Sequence, residues 1–198
     1  MIQTKRAFNA RIVIFASGGG SNARAIIEYF KFKQGFEIVL VVSNKPNAGV
    51  LEIAKTNGIT TLIISRTSFY KTDDILGHLK GVDLIVLAGF LWLIPNYLVQ
   101  VFPNKIVNIH PALLPKYGGK GMYGIHVHRA VKTAKEKESG ISIHFVNEAY
   151  DKGQLIFQQA CAITPEDSPE MIAKKVLQLE HQHFAPTIEQ LLLTKVRS

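Results

Sequence analysis

An α/β fold with a mostly parallel sheet, covered by helices on both faces, is what this sequence predicts. Three observations lead there. Apolar strand-like runs alternate with helical segments through the first half of the chain. Each run is continuous rather than alternating, as a strand buried on both faces must be. Two further strand-like runs near the C-terminus lie too close together for a helical crossover, which makes them an antiparallel pair at one side of the sheet.

Taken in order, Arg11 to Ala16 reads as a fully buried strand. Ser17-Gly18-Gly19-Gly20-Ser21-Asn22 breaks it, and Ala23 to Phe32 has apolar residues at helical spacing. Glu37 to Ser43 is a second, β-branched run, and Ala48 to Asn57 a helix ending at Gly58, where glycine is the favoured stop. Thr61 to Ser65 is a third strand, Ser68 to Leu79 a weak helix, and Asp83 to Ala88 a fourth, apolar strand. Pro95 to Phe102 predicts a short helix with proline in its first turn, and Lys105 to Ile109 the fifth strand. Gly140 to Val146 and Leu155 to Ile163 form the late pair. Ser168 to Lys195 is a long amphipathic helix with Ser168 as N-cap, Pro169 at its first position and Glu170 in its first turn. The order of the strands does not follow from this pattern.

With 198 residues, 47% hydrophobic and 19% charged, the chain suits one globular domain and is short for two. No stretch approaches the ~20 apolar residues of a membrane span, and the first apolar run is too short for a signal core. The expectation is a soluble, cytoplasmic protein that engages no membrane. The formal charge of +8 favours anionic partners, yet the basic residues are scattered, with no run of five or more and no interleaved aromatics. That argues against nucleic acid and leaves solvated lysines or a pocket for a small phosphorylated ligand. The one cysteine, Cys161, sits in an apolar stretch and reads as a core thiol.

Three features fall at the carboxyl ends of predicted strands, where open parallel sheets bind ligands. The loop Gly18–Asn22 has the form of an anion site, with glycines that let N–H groups crowd a phosphate and a helix start behind them. It matches neither the dinucleotide fingerprint nor the Walker loop. A tight turn with Ser21 or Asn22 as N-cap is the structural alternative. Phe90-Leu91-Trp92-Leu93-Ile94 could wall a flat heterocycle or pack beneath a short helix. Asn108-Ile109-His110 sets a carboxamide and an imidazole on one side of a strand end. Such a pair suits attack on a carbonyl carbon, with the amide steadying an oxyanion and the imidazole moving a proton. A buried Asn and a hydrogen-bonded core His are the bland alternative. Asp151 is the candidate that would hold the imidazole. His126 and His128 form a His-x-His pair at a helix start, where i and i+2 do not face each other, and no metal is expected there. His144 reads as structural or as support for the site.

On Ser17-Gly-Gly-Gly-Ser-Asn22, Leu87-Ala-Gly-Phe90, Asn108-Ile-His-Pro-Ala-Leu-Leu-Pro-Lys-Tyr117, Gly140-Ile-Ser-Ile-His-Phe-Val146, Asp151 and Glu180-His181, the chain resembles the folate-dependent formyltransferases. Within them it is most similar to the branch whose acceptor is a glycinamide ribonucleotide. The resemblance implies a Rossmann-like three-layer fold, a single domain over 1–198 with a phosphate-binding half (1–100) and a catalytic half (101–198), and a monomer or weak homodimer. It implies Asn108, His110 and Asp151 as a catalytic trio. It implies Gly20, Ser21 and Asn22 on the substrate phosphate and Glu180 on the ribose. It implies Leu91, Trp92, Leu93, Ile94, Asn108 and Tyr150 around the pterin of 10-formyltetrahydrofolate, with no metal. The expected reaction is formyl transfer from that folate to the amine of 5-phosphoribosylglycinamide, with His110 as a proton donor whose pKa Asp151 raises. A formyltetrahydrofolate hydrolase and a non-catalytic phosphate-ligand module are the alternatives. The chain departs from the pattern at Lys116 to Gly124, longer than the usual link, and at Trp92, where arginine is common.

Overall fold

The computed structural model describes residues 9–149 and 151–194. Seven strands form one sheet: β1 (Ala10–Phe15), β2 (Phe36–Ser43), β3 (Thr60–Ile63), β4 (Leu84–Leu87), β5 (Ile106–His110), β6 (Glu138–Phe145) and β7 (Leu155–Ala162). Their order is β3-β2-β1-β4-β5-β6-β7. The first five run parallel, and β6 is antiparallel to both β5 and β7. Sequence pattern had indicated the antiparallel pair; the pairing of β6 with β5 comes from the structure.

Alternation along the strands explains why the runs are apolar throughout. Ile12, Ile14 and Ala16 enter one core with α1 (Ser21–Phe30), α2 (Gly49–Thr56), α6 (Ile125–Thr133) and α7 (Pro169–Thr194). Val13 and Phe15 enter the opposite core with α3 (Arg66–Tyr70), α4 (Ile75–His78) and α5 (Asn96–Val101). The central strands β1, β4 and β5 are therefore sandwiched, giving the three-layer, Rossmann-like arrangement, while β3 and β7 at the two sides of the sheet are half-buried or exposed. In α1 the buried residues Ala23, Ile26, Ile27 and Phe30 keep the spacing of one helical face.

The helix expected over Ser68 to Leu79 is instead two short ones. α3 starts on a reciprocal cap between Ser65 and Ser68. It ends where the Thr72 hydroxyl bonds back to the Ser68 carbonyl and to Asp74 Oδ2 (3.0 and 2.8 Å). Side chains that satisfy local acceptors in this way compete with helix continuation. The cap expected for α7 is present: the Ser168 hydroxyl accepts from the Met171 N–H at 3.2 Å. Its predicted end, Lys195, lies outside the described residues. Among the described residues no helix is long and apolar enough to cross a membrane.

Strand order reverses between β1 and β4, so the loops leaving those two strands part at one edge of the sheet. They are tied together there. The Ser17 N–H donates to the Gly89 carbonyl (3.1 Å), and the Ser17 hydroxyl accepts from the Leu91 N–H (2.9 Å). The same pattern continues into β5 and β6, whose ends bring up the remaining site residues.

Candidate active site

Asn108 and His110 project from the carboxyl end of β5 on one side, as their spacing requires. Register then adds a residue that sequence reading had placed only in a supporting role. Asn108 pairs directly with His144 of β6, and cross-strand partners have adjacent side chains. Asp151, in the segment after β6, turns its carboxylate into the group they form.

The hydrogen bonds fix which atoms face which. His110 Nε2 lies 2.7 Å from the Tyr117 carbonyl, an acceptor only, so the ring carries hydrogen on Nε2. Its Nδ1 is left facing Asp151 Oδ2 at 3.6 Å. His144 Nδ1 lies 2.8 Å from the Phe145 carbonyl, which puts hydrogen on that atom, and its Nε2 lies 3.1 Å from Asn108 Nδ2 and 3.5 Å from Asp151 Oδ1. The Asn108 amide also donates to Asp151 Oδ1, at a long 3.4 Å. The Gly119 N–H donates to Asp151 Oδ2 at 2.9 Å. Tyr117 and Asp151 both hold left-handed backbone (φ 57° and 52°), a strain of about 1–3 kcal/mol each that the surrounding bonds must offset.

Burial dominates the electrostatics of His110, which is 3% exposed. It pushes the imidazole below its ordinary pKa; the Asp151 charge and the Tyr117 carbonyl pull the other way and are outweighed. Asp151 therefore pulls in the expected direction, but burial reverses the net shift. For Asp151 the balance is reversed. Burial raises the carboxyl, but the His144 and His110 imidazoles and the Gly119 N–H together hold it below its usual value.

Two clefts meet at this group. The first, of about 380 Å³, is walled by Phe90, Leu91, Trp92, Leu93, Ile94 and Val146, with Asn108, His144, Asn147 and Asp151 at its polar end. All four residues predicted from Leu91 to Ile94 line it. Their main chain is held in advance: Leu91 N–H by Ser17, and the Leu93 carbonyl by the Tyr70 hydroxyl (2.9 Å). The Arg66 guanidinium lies 5.4 Å over the Trp92 ring, placing a cation beside that wall. Gly119, Lys120 and Gly121 of the long link border the same cleft. Tyr150, expected here, lies outside the described residues.

The second cleft, of about 390 Å³, is bordered by Asn22, Gly89, Asn108, His110, His128, Leu177 and Glu180. Phe90, Leu91, Asn108 and Tyr123 belong to both clefts. Glu180 is the one charged residue in the buried stripe of α7 (Ile172, Val176, Glu180, Phe184, Ile188, Leu192). Burial raises its carboxyl above the ordinary value, the bond from Asn22 opposing that. Asn22 Nδ2 donates to Glu180 Oε2 at 2.7 Å, joining residues 158 apart in sequence. The packing of α1 on α7 makes that contact, secured further along by Tyr29 and Lys33 on Glu189 (2.6 and 2.8 Å).

Neither Ser21 nor Asn22 caps α1. The cap is Gly20, at φ 80° with no side-chain hydrogen bond, so the first-turn N–H groups are left for another acceptor. A Cβ on Gly20 would come within 2.8 Å of Val50, so the loop is pressed against α2 and admits only glycine. His126 and His128 diverge: His126 is exposed with Tyr123 edge-on at 5.4 Å, and His128 is buried. Among the described residues no three His, Cys, Asp or Glu groups could together hold a metal ion. The Tyr117 carbonyl and the Gly119 N–H were missed from sequence because main-chain groups have no residue identity to read.

A profile described as formyl transferase matches residues 10–188. The chloroplastic phosphoribosylglycinamide formyltransferase of Arabidopsis thaliana is 44% identical over 186 residues; the match covers 90% of this chain and 64% of that protein, so the chain spans less than two thirds of that relative. The phosphoribosylglycinamide formyltransferase of Bacillus subtilis is 35% identical over 92% of this chain and 94% of its own. The crystal structure of phosphoribosylglycinamide formyltransferase from Brucella melitensis superposes with a TM-score of 0.83 at 34% identity, covering 93% of this chain and 96% of that one.

Proposed function

The chain belongs to the formyl transferase family, and from that premise we propose that it transfers the formyl group of 10-formyltetrahydrofolate to the amine of 5-phosphoribosylglycinamide, a step of purine biosynthesis. The observation that carries this reading is the meeting of two clefts at Asn108, beside His110 and Asp151. A two-substrate transfer needs two sites that open on one reacting atom.

The first cleft suits the folate. Its wall is apolar and aromatic, with the Phe90 and Trp92 rings at 68° to one another, and its polar end offers Asn108, His144 and Asp151. The folate supplies an activated acyl carbon. The second cleft suits the ribonucleotide, with its phosphate on the N–H groups at the start of α1 and its ribose on Glu180 and Asn22. Holding the acceptor at both ends orients its amine toward Asn108 and makes the attack effectively intramolecular.

As the amine adds to the formyl carbon, the formyl oxygen gains charge and the nitrogen becomes acidic. Asn108 donates to the oxygen, giving up its longer bond, the one to Asp151. His110, neutral with Nδ1 bare, takes the proton, and Asp151 at 3.6 Å stabilises the imidazolium so formed. The proton then passes to the folate nitrogen as the C–N bond breaks. Tyr117 and Gly119 keep ring and carboxylate oriented throughout.

One assay tests the reading. Protein is mixed with 10-formyltetrahydrofolate, and folate absorbance is followed with and without 5-phosphoribosylglycinamide. Product that depends on the ribonucleotide is expected. Product formed without it would mean a hydrolase, and no product a binding module; either outcome refutes the proposal.

A further inference from the structure

We infer that His128 is a ligand-binding residue of the second cleft, hydrogen-bonding an oxygen of the ribose phosphate. The inference rests on the proposed function, because it takes the ligand of that cleft to be the phosphoribosyl acceptor.

Helix α6 buries Val127, His128 and Val131. Val131 joins the core against α7, whereas His128 borders the second cleft. The ring is only 5% exposed, yet its Nδ1 has no hydrogen-bond partner. Buried polar atoms are nearly always paired, and an orphan points to a partner that arrives from outside the chain. Were packing its only task, an apolar side chain would serve here without that penalty.

Location gives the orphan its meaning. Among the described residues, four buried side-chain atoms are without a partner, and two of them, His128 Nδ1 and Asn22 Oδ1, belong to residues bordering this one cleft. They stand on different helices, with Glu180 on a third. A void of about 390 Å³ between them matches a ligand of phosphorylated-sugar size rather than a single water. Burial, and the proximity of the His110 imidazole, which opposes a second positive charge beside it, push His128 below its ordinary pKa. The ring is therefore neutral, with one nitrogen to donate and one to accept, which suits hydroxyl or phosphate oxygens. Its neighbour His126, exposed beside Tyr123, shares none of these properties.

The test uses His128→Leu, apolar and of similar volume, and His128→Gln, which keeps polar reach. For each, titration calorimetry gives the Kd of 5-phosphoribosylglycinamide and of 10-formyltetrahydrofolate, and scanning calorimetry gives the Tm of the free protein. The Leu variant is expected to bind the ribonucleotide ~10-fold more weakly, about 1.4 kcal/mol. It should bind the folate as wild type does and melt no lower, since an unpaired polar group has been removed. The Gln variant should recover part of the lost affinity. Unchanged ribonucleotide affinity in the Leu variant overturns the inference, as does a lower Tm with both ligands weakened alike, the signature of a structural histidine. If the Leu variant does not fold, the Gln variant decides: weakened ribonucleotide with intact folate binding supports the assignment, and any other pattern removes it. Wild-type protein that binds folate but no ribonucleotide would overturn the proposed function, and this inference with it. Wild type that binds both while the Leu variant is unaffected removes His128 alone.

Discussion

Replacing Asp151 by Asn tests the core of the mechanism, because it removes the charge while keeping the side-chain size, with the amide oxygen still able to accept from the Gly119 N–H and only the long bond from Asn108 given up. In the wild type, Oδ2 lies 3.6 Å from His110 Nδ1. Two unit charges at that separation attract by about 4–5 kcal/mol at an effective dielectric of about 20. At about 1.4 kcal/mol per pKa unit, losing all of it would lower the imidazole by about three units. Water in the open clefts screens part of this, so a fall of about one to two is expected. Asp151 pulls His110 upward against burial. Its removal must therefore move the acid limb of the kcat/KM profile to lower pH, and take turnover down by ~10²–10⁴ with the stabilised imidazolium. The wild-type limb belongs to the coupled His110–Asp151 pair, whereas the variant leaves His110 to titrate alone. Steady-state rates from folate absorbance between pH ~5 and ~9 measure both quantities. A variant within about tenfold of wild-type turnover, or an acid limb that moves upward, would refute the assignment of base and partner.

Asn108→Ala should lower kcat by ~10²–10³ while both KM values stay within a few-fold, since the lost donor acts on charge that develops only in the transition state; a change confined to KM would speak against it. Glu180→Gln should weaken ribonucleotide binding yet stabilise the free chain near neutral pH. Burial raises the Glu180 carboxyl, so its stabilising contribution is full below the unfolded pKa and is lost as pH rises through the folded one. Melting curves of the Gln variant should lack that decline, and an unaltered pH dependence would contradict the burial argument. Gly20→Ala forces a side chain onto φ 80° and to within 2.8 Å of Val50, at about 1–3 kcal/mol. Tm should fall by about 2–4 °C for each kcal/mol, and KM for the ribonucleotide should rise; a full-strength, wild-type-stable variant would show the loop to be less constrained than drawn.

The sequence by itself determined the local order of this protein and much of its chemistry. Continuous apolar runs specified a sheet buried on both faces, and a two-residue spacing put Asn108 and His110 on one side of β5. The cap at Ser168 was readable too, because each of these properties depends on neighbours in the chain. Glu180 entered through the resemblance alone; its place in the buried stripe of α7 came from the folded chain. What only the tertiary structure decided depends on groups brought together from afar, or on atoms the sequence does not name. Register set His144 opposite Asn108, and helix packing set Asn22 on Glu180 across 158 residues. The Tyr117 carbonyl and the Gly119 N–H, present in some form at every position, became specific through placement alone. Direction of titration was decided there as well: a neighbouring carboxylate argues for a raised imidazole, and the depth of burial, visible only in the folded chain, reverses the sign.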